Sequence, residues 1–193
     1  MRRLMYKILL VMLLLATPLI GYFWHYHALS VRLMEQKNID GEKANTIKHA
    51  YAAAQLFHAL SAIIPDDDAQ KMVLWLGRMN EHAEQRFHAY PKNLLSDFKA
   101  DTTIEIIKDL QNNIAGITAA RWQAQHMPKD FPTLDMIVRL ADTDAVVVWA
   151  NRLAIPQKEL DAHANNVAFA HGWVEERNEE IVANTQKALA ELY

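Results

Sequence analysis

The feature that most constrains this chain is an apolar run near its N-terminus, from Ile8 to Trp24. These 17 residues would rise about 26 Å as an α-helix, close to the hydrocarbon thickness of a bilayer. Arg2, Arg3 and Lys7 precede the run, and the positive-inside rule then leaves the C-terminal part of the chain across the membrane. We therefore predict a single N-terminal transmembrane helix.

The alternative interpretation of this segment is a cleaved secretory signal. The small residues that follow the apolar stretch are Gly21, Ala28 and Ser30, and none of them completes a convincing A-x-A cleavage site. Tyr22 and Trp24 instead form part of an aromatic cluster that is typical of a helix retained at the membrane interface. We therefore favour an uncleaved signal-anchor.

These patterns divide the chain into two parts. Residues 1–36 are the predicted cytoplasmic basic tip and signal-anchor helix, and residues 37–193 are the predicted exported domain. The expected location is the bacterial inner membrane, with the N-terminus in the cytoplasm and the C-terminal domain in the periplasm. The chain has no Cys, which excludes disulfides and a lipid-modified cysteine, so the domain must be stable through packing alone.

Charge restricts the partners of the exported domain. Beyond the first seven residues the chain carries 17 basic and 23 acidic side chains, a net charge near −6. Nucleic acid requires a basic surface that displaces counterions, so we expect no nucleic acid as a partner. The same balance disfavours tight docking on anionic lipid headgroups.

Hydrophobic periodicity predicts an all-α fold, a bundle of five to six helices on the single transmembrane helix. A Thr102-x-x-Glu105 capping box begins the third predicted helix. Residues 133–153 form either two short helices or one bent helix. The other predicted helices are Glu42–Ile64, which is apolar nearly all round and therefore central, a helix from the Asp66 region to Tyr90, and a long final helix from Pro156 to Glu191.

The second predicted helix has a clear apolar stripe. Glu81 falls on the opposite side of the helical wheel, which by default is a solvated face. Glu84 and His88 have the i, i+4 spacing of a metal-binding pair, but no further ligands accompany them. The predicted core stripe consists of Met72, Val73, Leu76, Met79, Ala83 and Phe87.

Two groups of polar residues on apolar helices are candidates for a functional site. Asn45, Lys48 and His49 share the first helix, where His49 is either a hydrogen-bonded core residue or a base or ligand. The segment from Asp109 to Gly116 includes Asn112 and Asn113, and either packs closely across a helix interface or contributes to a polar site with His49. On the final helix we interpret Asp161, His163, Asn166 and His171 as buried structural residues, with His163 on the core stripe.

Three short motifs occur in order between Gly41 and Ala120: Ala44-Asn-Thr-Ile-Lys-His-Ala-Tyr51, Asn80-Glu81, and Asp109-Leu-Gln-Asn-Asn-Ile-Ala-Gly116. Together they resemble an uncharacterised bacterial helical domain with the pattern A-D-A-x-R-H-A-Y-W, then H-E, then D-L-x-N-N-x-x-G. The resemblance implies that His49, Glu81, Asp109 and Asn113 converge in one polar pocket.

The sequence departs from that family pattern at four positions. The family's Asp is Asn45 here, its Arg is Lys48, its Trp is Ala52, and the His of its H-E motif is Asn80. The changes at Asn45 and Asn80 each remove a charge or a proton acceptor. A catalytic or metal-binding ability of the family pocket would therefore be weakened in this chain.

Two functional hypotheses follow. The first is a membrane-anchored, periplasm-facing domain that binds an envelope protein or a membrane-proximal ligand, with Asn45, Lys48, Asn112 and Asn113 as ligand-binding residues. The second is an envelope hydrolase for lipid or cell-wall material, with His49, Glu81 and Asp109 as catalytic residues. We expect no cofactor, and the sequence leaves metal binding open. No G-x-S-x-G or H-E-x-x-H motif supports the hydrolase.

Overall fold

The structure is a computed structural model. It describes residues 28–29, 32–33, 35, 39–88, 102–147, 153, 155–164 and 166–193, and the side chains of 83–88 are outside this description. The predicted anchor, from Ile8 to Trp24, also lies outside the described residues. Among those that are described, no helix is long and apolar enough to cross a membrane.

The described part of the chain contains seven helices and no strand, which confirms the predicted all-α class. The first three helices are long, and the remaining four are shorter. They are α1 (Gly41–Ser61), α2 (Asp66–His88), α3 (Thr103–His126), α4 (Thr133–Leu140), α5 (Gln157–Ala162), α6 (Val167–Glu176) and α7 (Asn178–Leu192).

Local sequence explains where the long helices begin. The Asp40 carboxylate accepts a hydrogen bond from the Glu42 amide at the start of α1. The predicted capping box is confirmed: the Thr102 hydroxyl accepts from the Glu105 amide, and the Glu105 carboxylate accepts from the Thr102 amide. Each cap satisfies backbone groups that the first helical turn leaves unpaired.

The first three helices form an up-down-up arrangement. Helices α1 and α3 run parallel, because contacts between them advance together along both helices, from Glu42 with Lys108 to Ala50 with Gly116. Helix α2 runs antiparallel to α3, because Asp67 pairs with Arg121 whereas Gly77 lies against Asn113.

Helix α3 is the centre of the described fold. Sixteen of its 24 residues are buried, and it contacts α1, α2, α4, α6 and α7. One apolar cluster joins the first half of α3 to α6 and α7, and another joins its second half to α1 and α2. A third cluster, around α1, α4 and α7, also contains Leu29 and Leu33, so packing reaches the helical residues that precede α1.

One helix prediction in the C-terminal half was wrong, and one of the two alternatives for another segment was wrong. The single helix predicted from Pro156 to Glu191 is three helices, because the backbone leaves the helical conformation around His163 and at Arg177. The Asn166 side chain caps the new start at α6 by accepting from the Phe169 amide. For residues 133–153, the alternative of one bent helix is wrong, because only α4 is helical between 133 and 147 and residues 141–147 form turns and bends. Residues 148–152, where a second short helix would lie, are outside the described residues.

The predicted core stripe of α2 was wrong in part: Val73 is buried as predicted, but two of its methionines are exposed, and the side chains of Ala83 and Phe87 lie outside the described residues. Ala69, Val73 and Glu81 are buried, whereas Met72 and Met79 are 45% and 47% exposed. The inward positions recur at multiples of four residues, the interval that keeps side chains on one face of a helix. The prediction selected the most hydrophobic face of α2. The face that packs inward instead consists of three residues with short side chains or none, and one carboxylate: Ala69, Val73, Gly77 and Glu81.

Candidate functional site

The candidate site lies where α1 and α3 approach most closely. Gly116 has no side chain, and a Cβ atom at that position would overlap the carbonyl oxygen of Ala50 and lie 2.8 Å from its carbonyl carbon. The predicted close packing at Gly116 is therefore confirmed. Because the backbones are this near, short polar side chains on the two helices can contact one another in the interior.

The structure brings two of the three predicted catalytic residues together. Nε2 of His49 on α1 lies 3.6 Å from Oδ2 of Asp109 on α3. The side chain of Asp109 is 6% exposed and that of His49 is 17% exposed, so the imidazole lies between the interior and the surface. A carboxylate in this position can orient the ring.

Glu81 approaches the same level of the bundle from α2. It is only 2% exposed, so the predicted solvated position was wrong. Gly77 of α2 lies against Asn113 of α3, and one further turn along these antiparallel helices places Glu81 at the level of Asp109. The bundle therefore buries two carboxylates from different helices in one region.

Asn112 fixes the turn segment that follows α4. Its side-chain amide donates to the Val147 carbonyl at 3.0 Å and accepts from the Val147 amide at 2.9 Å. The Thr46 hydroxyl donates to the same carbonyl at 3.2 Å. Asn112 is fully buried, so these bonds satisfy backbone groups that would otherwise lack a partner in the interior. Its predicted role in ligand binding stays a prediction.

Lys108 is a buried charge that the sequence analysis did not single out. It is 3% exposed, and its ammonium group donates to the Glu42 carboxylate at 2.9 Å. Burial alone would lower the pKa of Lys108, but the adjacent Asp109 and the bond to Glu42 outweigh it and raise the pKa. The sequence contains a signal for this burial, because Lys108 lies between Ile107 and Leu110 in an apolar part of α3.

The remaining predicted residues occupy different positions around this region. Asn45 and Lys48 are partly exposed on α1, and Asn113 is buried against Gly77. Among the described residues no three His, Cys, Asp or Glu side chains form a group that could hold a metal ion. The side chains of the Glu84 and His88 pair are outside the described part.

The polar residues of the predicted final helix are not buried as predicted: Asp161 is exposed, and Asn166 and His171 are partly exposed. His163 is not on a core stripe: it ends α5, is partly exposed, and stacks on Phe169 with 4.1 Å between ring centroids. Its carbonyl accepts from the Thr103 hydroxyl, which joins α5 to the start of α3. His171 lies 3.6 Å from Glu175, and burial lowers its pKa, as do Arg78 and His82.

A separate feature lies on the outer surface of α2. We call Met72, Trp75 and Met79 the outer stripe. Their spacing of three and four residues places them on one face of the helix, opposite the buried residues Ala69 and Val73. Trp75 is 55% exposed, so this face presents three large apolar side chains to solvent.

Comparisons with family models, with curated proteins and with solved structures find no match to this chain.

Proposed function

We propose that this protein is a membrane-anchored binding domain, which faces the periplasm and binds an envelope protein through the outer stripe of α2. The observation that carries the proposal is the exposure of Met72, Trp75 and Met79 on one helix face. Tryptophan is enriched among residues that dominate binding energy, and methionine adapts its shape to a partner. The outer stripe thus has the composition of a protein interface.

Charges along one edge of the outer stripe indicate the chemistry of the partner. Lys71 and His82 are exposed and Arg78 is partly exposed, and their spacing of seven and four residues places them on the same flank of α2. The partner that fits is an amphipathic helix with apolar anchors and carboxylates along one edge. An anionic bilayer fits less well, since the exported part of the chain is itself acidic.

Photo-crosslinking in the native cell tests this proposal. A photoreactive amino acid at position 75 is expected to crosslink to one envelope protein, which mass spectrometry identifies. The same residue at position 179, which is exposed on α7, serves as the control. Trp75→Asp should abolish binding of the identified protein to the purified full chain. Crosslinks from position 75 only to lipid, to a second copy of the chain or to nothing would reject the proposal.

A second candidate function is an envelope hydrolase at the His49 and Asp109 pair. The observation that favours it is the 3.6 Å separation of a partly exposed imidazole from a buried carboxylate, the arrangement that orients a general base. Glu81 at the same level would supply a further acid. The pair can accept a proton from water when the imidazole is neutral.

The hydrolase is tested by incubating the full chain with cell-wall sacculi and with phospholipid vesicles. Release of soluble fragments or fatty acids is expected to fall by at least about 100-fold in His49→Ala and Asp109→Asn, as for loss of a general base. His126→Ala, on an exposed position of α3, is the matched control. Equal release by the wild type and His49→Ala, with both folded by circular dichroism, would exclude this function.

A further inference from the structure

The structure contains a cleft that is separate from both the outer stripe and the His49 region. It has a volume of about 360 Å³, which falls in the range of small-molecule sites. Its walls come from α3, from the turn segment after α4, and from the junction of α6 and α7. Its lining includes Gln111, Val147, Trp173, Arg177, Glu180 and Ile181.

The floor of the cleft is apolar and held in place. Val147 and Ile181 are 6% and 4% exposed and belong to the apolar cluster around the first half of α3. The two hydrogen bonds between Asn112 and the Val147 backbone fix the turn segment on α3. The floor is therefore preformed, and a ligand that covers it gains apolar burial without first ordering the chain.

The mouth of the cleft carries a positioned cation. The Arg177 guanidinium lies over the Trp173 ring at 4.1 Å from its centroid and donates to the Trp173 carbonyl at 3.2 Å. Arg177 occupies the single non-helical residue between α6 and α7. Its contacts with Trp173 restrict its motion. Its Nη1 also lies 3.5 Å from the carboxylate of Glu176, which is exposed, so a ligand carboxylate would replace a weak surface ion pair.

Acceptors complete the lining. Glu180 is exposed on α7 and adds a carboxylate to the same cleft as Arg177, and the exposed Asp144 of the turn segment adds a second. On the opposite wall, Oε1 of Gln111 is buried and has no hydrogen-bond partner among the described residues. Since that oxygen is buried, the two carboxylates are the acceptors that a ligand can reach.

We propose that this cleft binds a zwitterionic small molecule, an amino acid or short peptide with an apolar side chain. The ligand's carboxylate binds Arg177, its ammonium group binds near Glu180, and its side chain covers Val147 and Ile181. A ligand with only a carboxylate would bring no partner to Glu180 and Asp144, and a ligand with only an ammonium group would not use Arg177. The proposal rests on different residues from the function proposed for the outer stripe, so either can fail alone.

Titration calorimetry of the full chain in detergent with the dipeptide Leu-Leu tests the site. N-acetyl-Leu-Leu and Leu-Leu amide each lack one of the two charges, and both are expected to bind at least about tenfold more weakly. Arg177→Gln and Glu180→Gln should weaken dipeptide binding to a similar degree. Glu179→Gln, a neighbouring exposed position outside the cleft, should leave it unchanged.

Three results would overturn the proposal. They are no heat of binding for Leu-Leu, equal affinity for the dipeptide and its singly charged analogues, and unchanged binding by both Arg177→Gln and Glu180→Gln. Since Glu180 is exposed, its substitution keeps the test decisive even if Arg177→Gln reduces folding. Binding of Leu-Leu by a Trp75→Asp variant with wild-type affinity would separate this site from the outer stripe.

Discussion

At the scale of single residues, helix packing in the interior of this protein depends on positions that have no room for a larger side chain. Gly116 meets the backbone of Ala50, whereas a Cβ atom added at Gly172 in α6 would have no neighbour within 4 Å in the described part of the chain. The two glycines look alike in the sequence, since both interrupt a helix with a residue of poor helix propensity. Only the packing of α1 on α3 distinguishes them.

We predict opposite effects for the same substitution at these glycines. Gly116→Ala should lower the free energy of unfolding by about 2 kcal/mol or more, because the backbones of α1 and α3 must separate. Gly172→Ala should leave it unchanged or raise it by up to about 1 kcal/mol, because alanine is the better helix former. Urea denaturation measures both, and a similar loss for the two variants would contradict the close contact.

Asn112 is the second residue whose role follows from its contacts. Asn112→Ala should cost roughly 2–4 kcal/mol of stability, because it removes two hydrogen bonds and leaves the buried amide of Val147 without its acceptor. Gln125→Ala, at an exposed position of the same helix, should change stability by no more than about 0.5 kcal/mol. A loss at Asn112 no greater than at Gln125 would show that the turn segment is held by other contacts.

At the scale of helices, local signals predict structure more accurately than they predict orientation. The capping box at Thr102 predicted the start of α3 because a cap is a contact between near neighbours in sequence. The inward face of α2 could not be read in the same way. Ala69 and Gly77 are small, and a face of small residues scores poorly as hydrophobic although it permits close approach to α3.

The candidate site shows the same division between local and long-range information. The sequence suggested His49 and Asp109 as members of one site, and the structure places their side chains 3.6 Å apart. It did not suggest the ion pair of Lys108 with Glu42, because those residues meet only through the pairing of α1 with α3. The cleft at Arg177 was missed because the helix break there carries no Gly or Pro.

The contact between α2 and α6 predicts a pH dependence. Burial, Arg78 and His82 lower the pKa of His171 below its usual value near 6.5, while Glu175 opposes the shift. The unfolded chain therefore binds this proton more readily than the folded chain. The stability from neutral His171 is present above about pH 6.5 and is lost as the pH falls from there through the lowered folded pKa.

Thermal denaturation between pH 7.5 and 5 measures this effect. His171→Gln should show a smaller fall in melting temperature on acidification than the wild type. His126→Gln, on an exposed position of α3, should keep the wild-type slope. Parallel slopes for wild type and His171→Gln would show that acid sensitivity arises elsewhere.

At the scale of the whole molecule, α3 joins the apolar clusters of both halves of the fold. Helices α1 and α2 cannot complete their buried faces without it, because Ala53, Phe57 and Val73 share a cluster with Ile117 and Ala120. We predict that a chain ending at residue 101 does not fold. Limited proteolysis should cut α1 in that fragment at least about tenfold faster than in the full chain, and equal protection would contradict the central role of α3.

The parallel pairing of α1 with α3 also has a consequence for the order of events during synthesis. Glu42 and Lys108 are 66 residues apart, and both α2 and the segment after it lie between them. When α1 leaves the ribosome, its partner surface has not yet been made, and α2 alone cannot occupy the place of Gly116 and Asn112. The face of α1 that packs on Gly116 therefore stays uncovered in the nascent chain, and during this interval a chaperone would have most to bind.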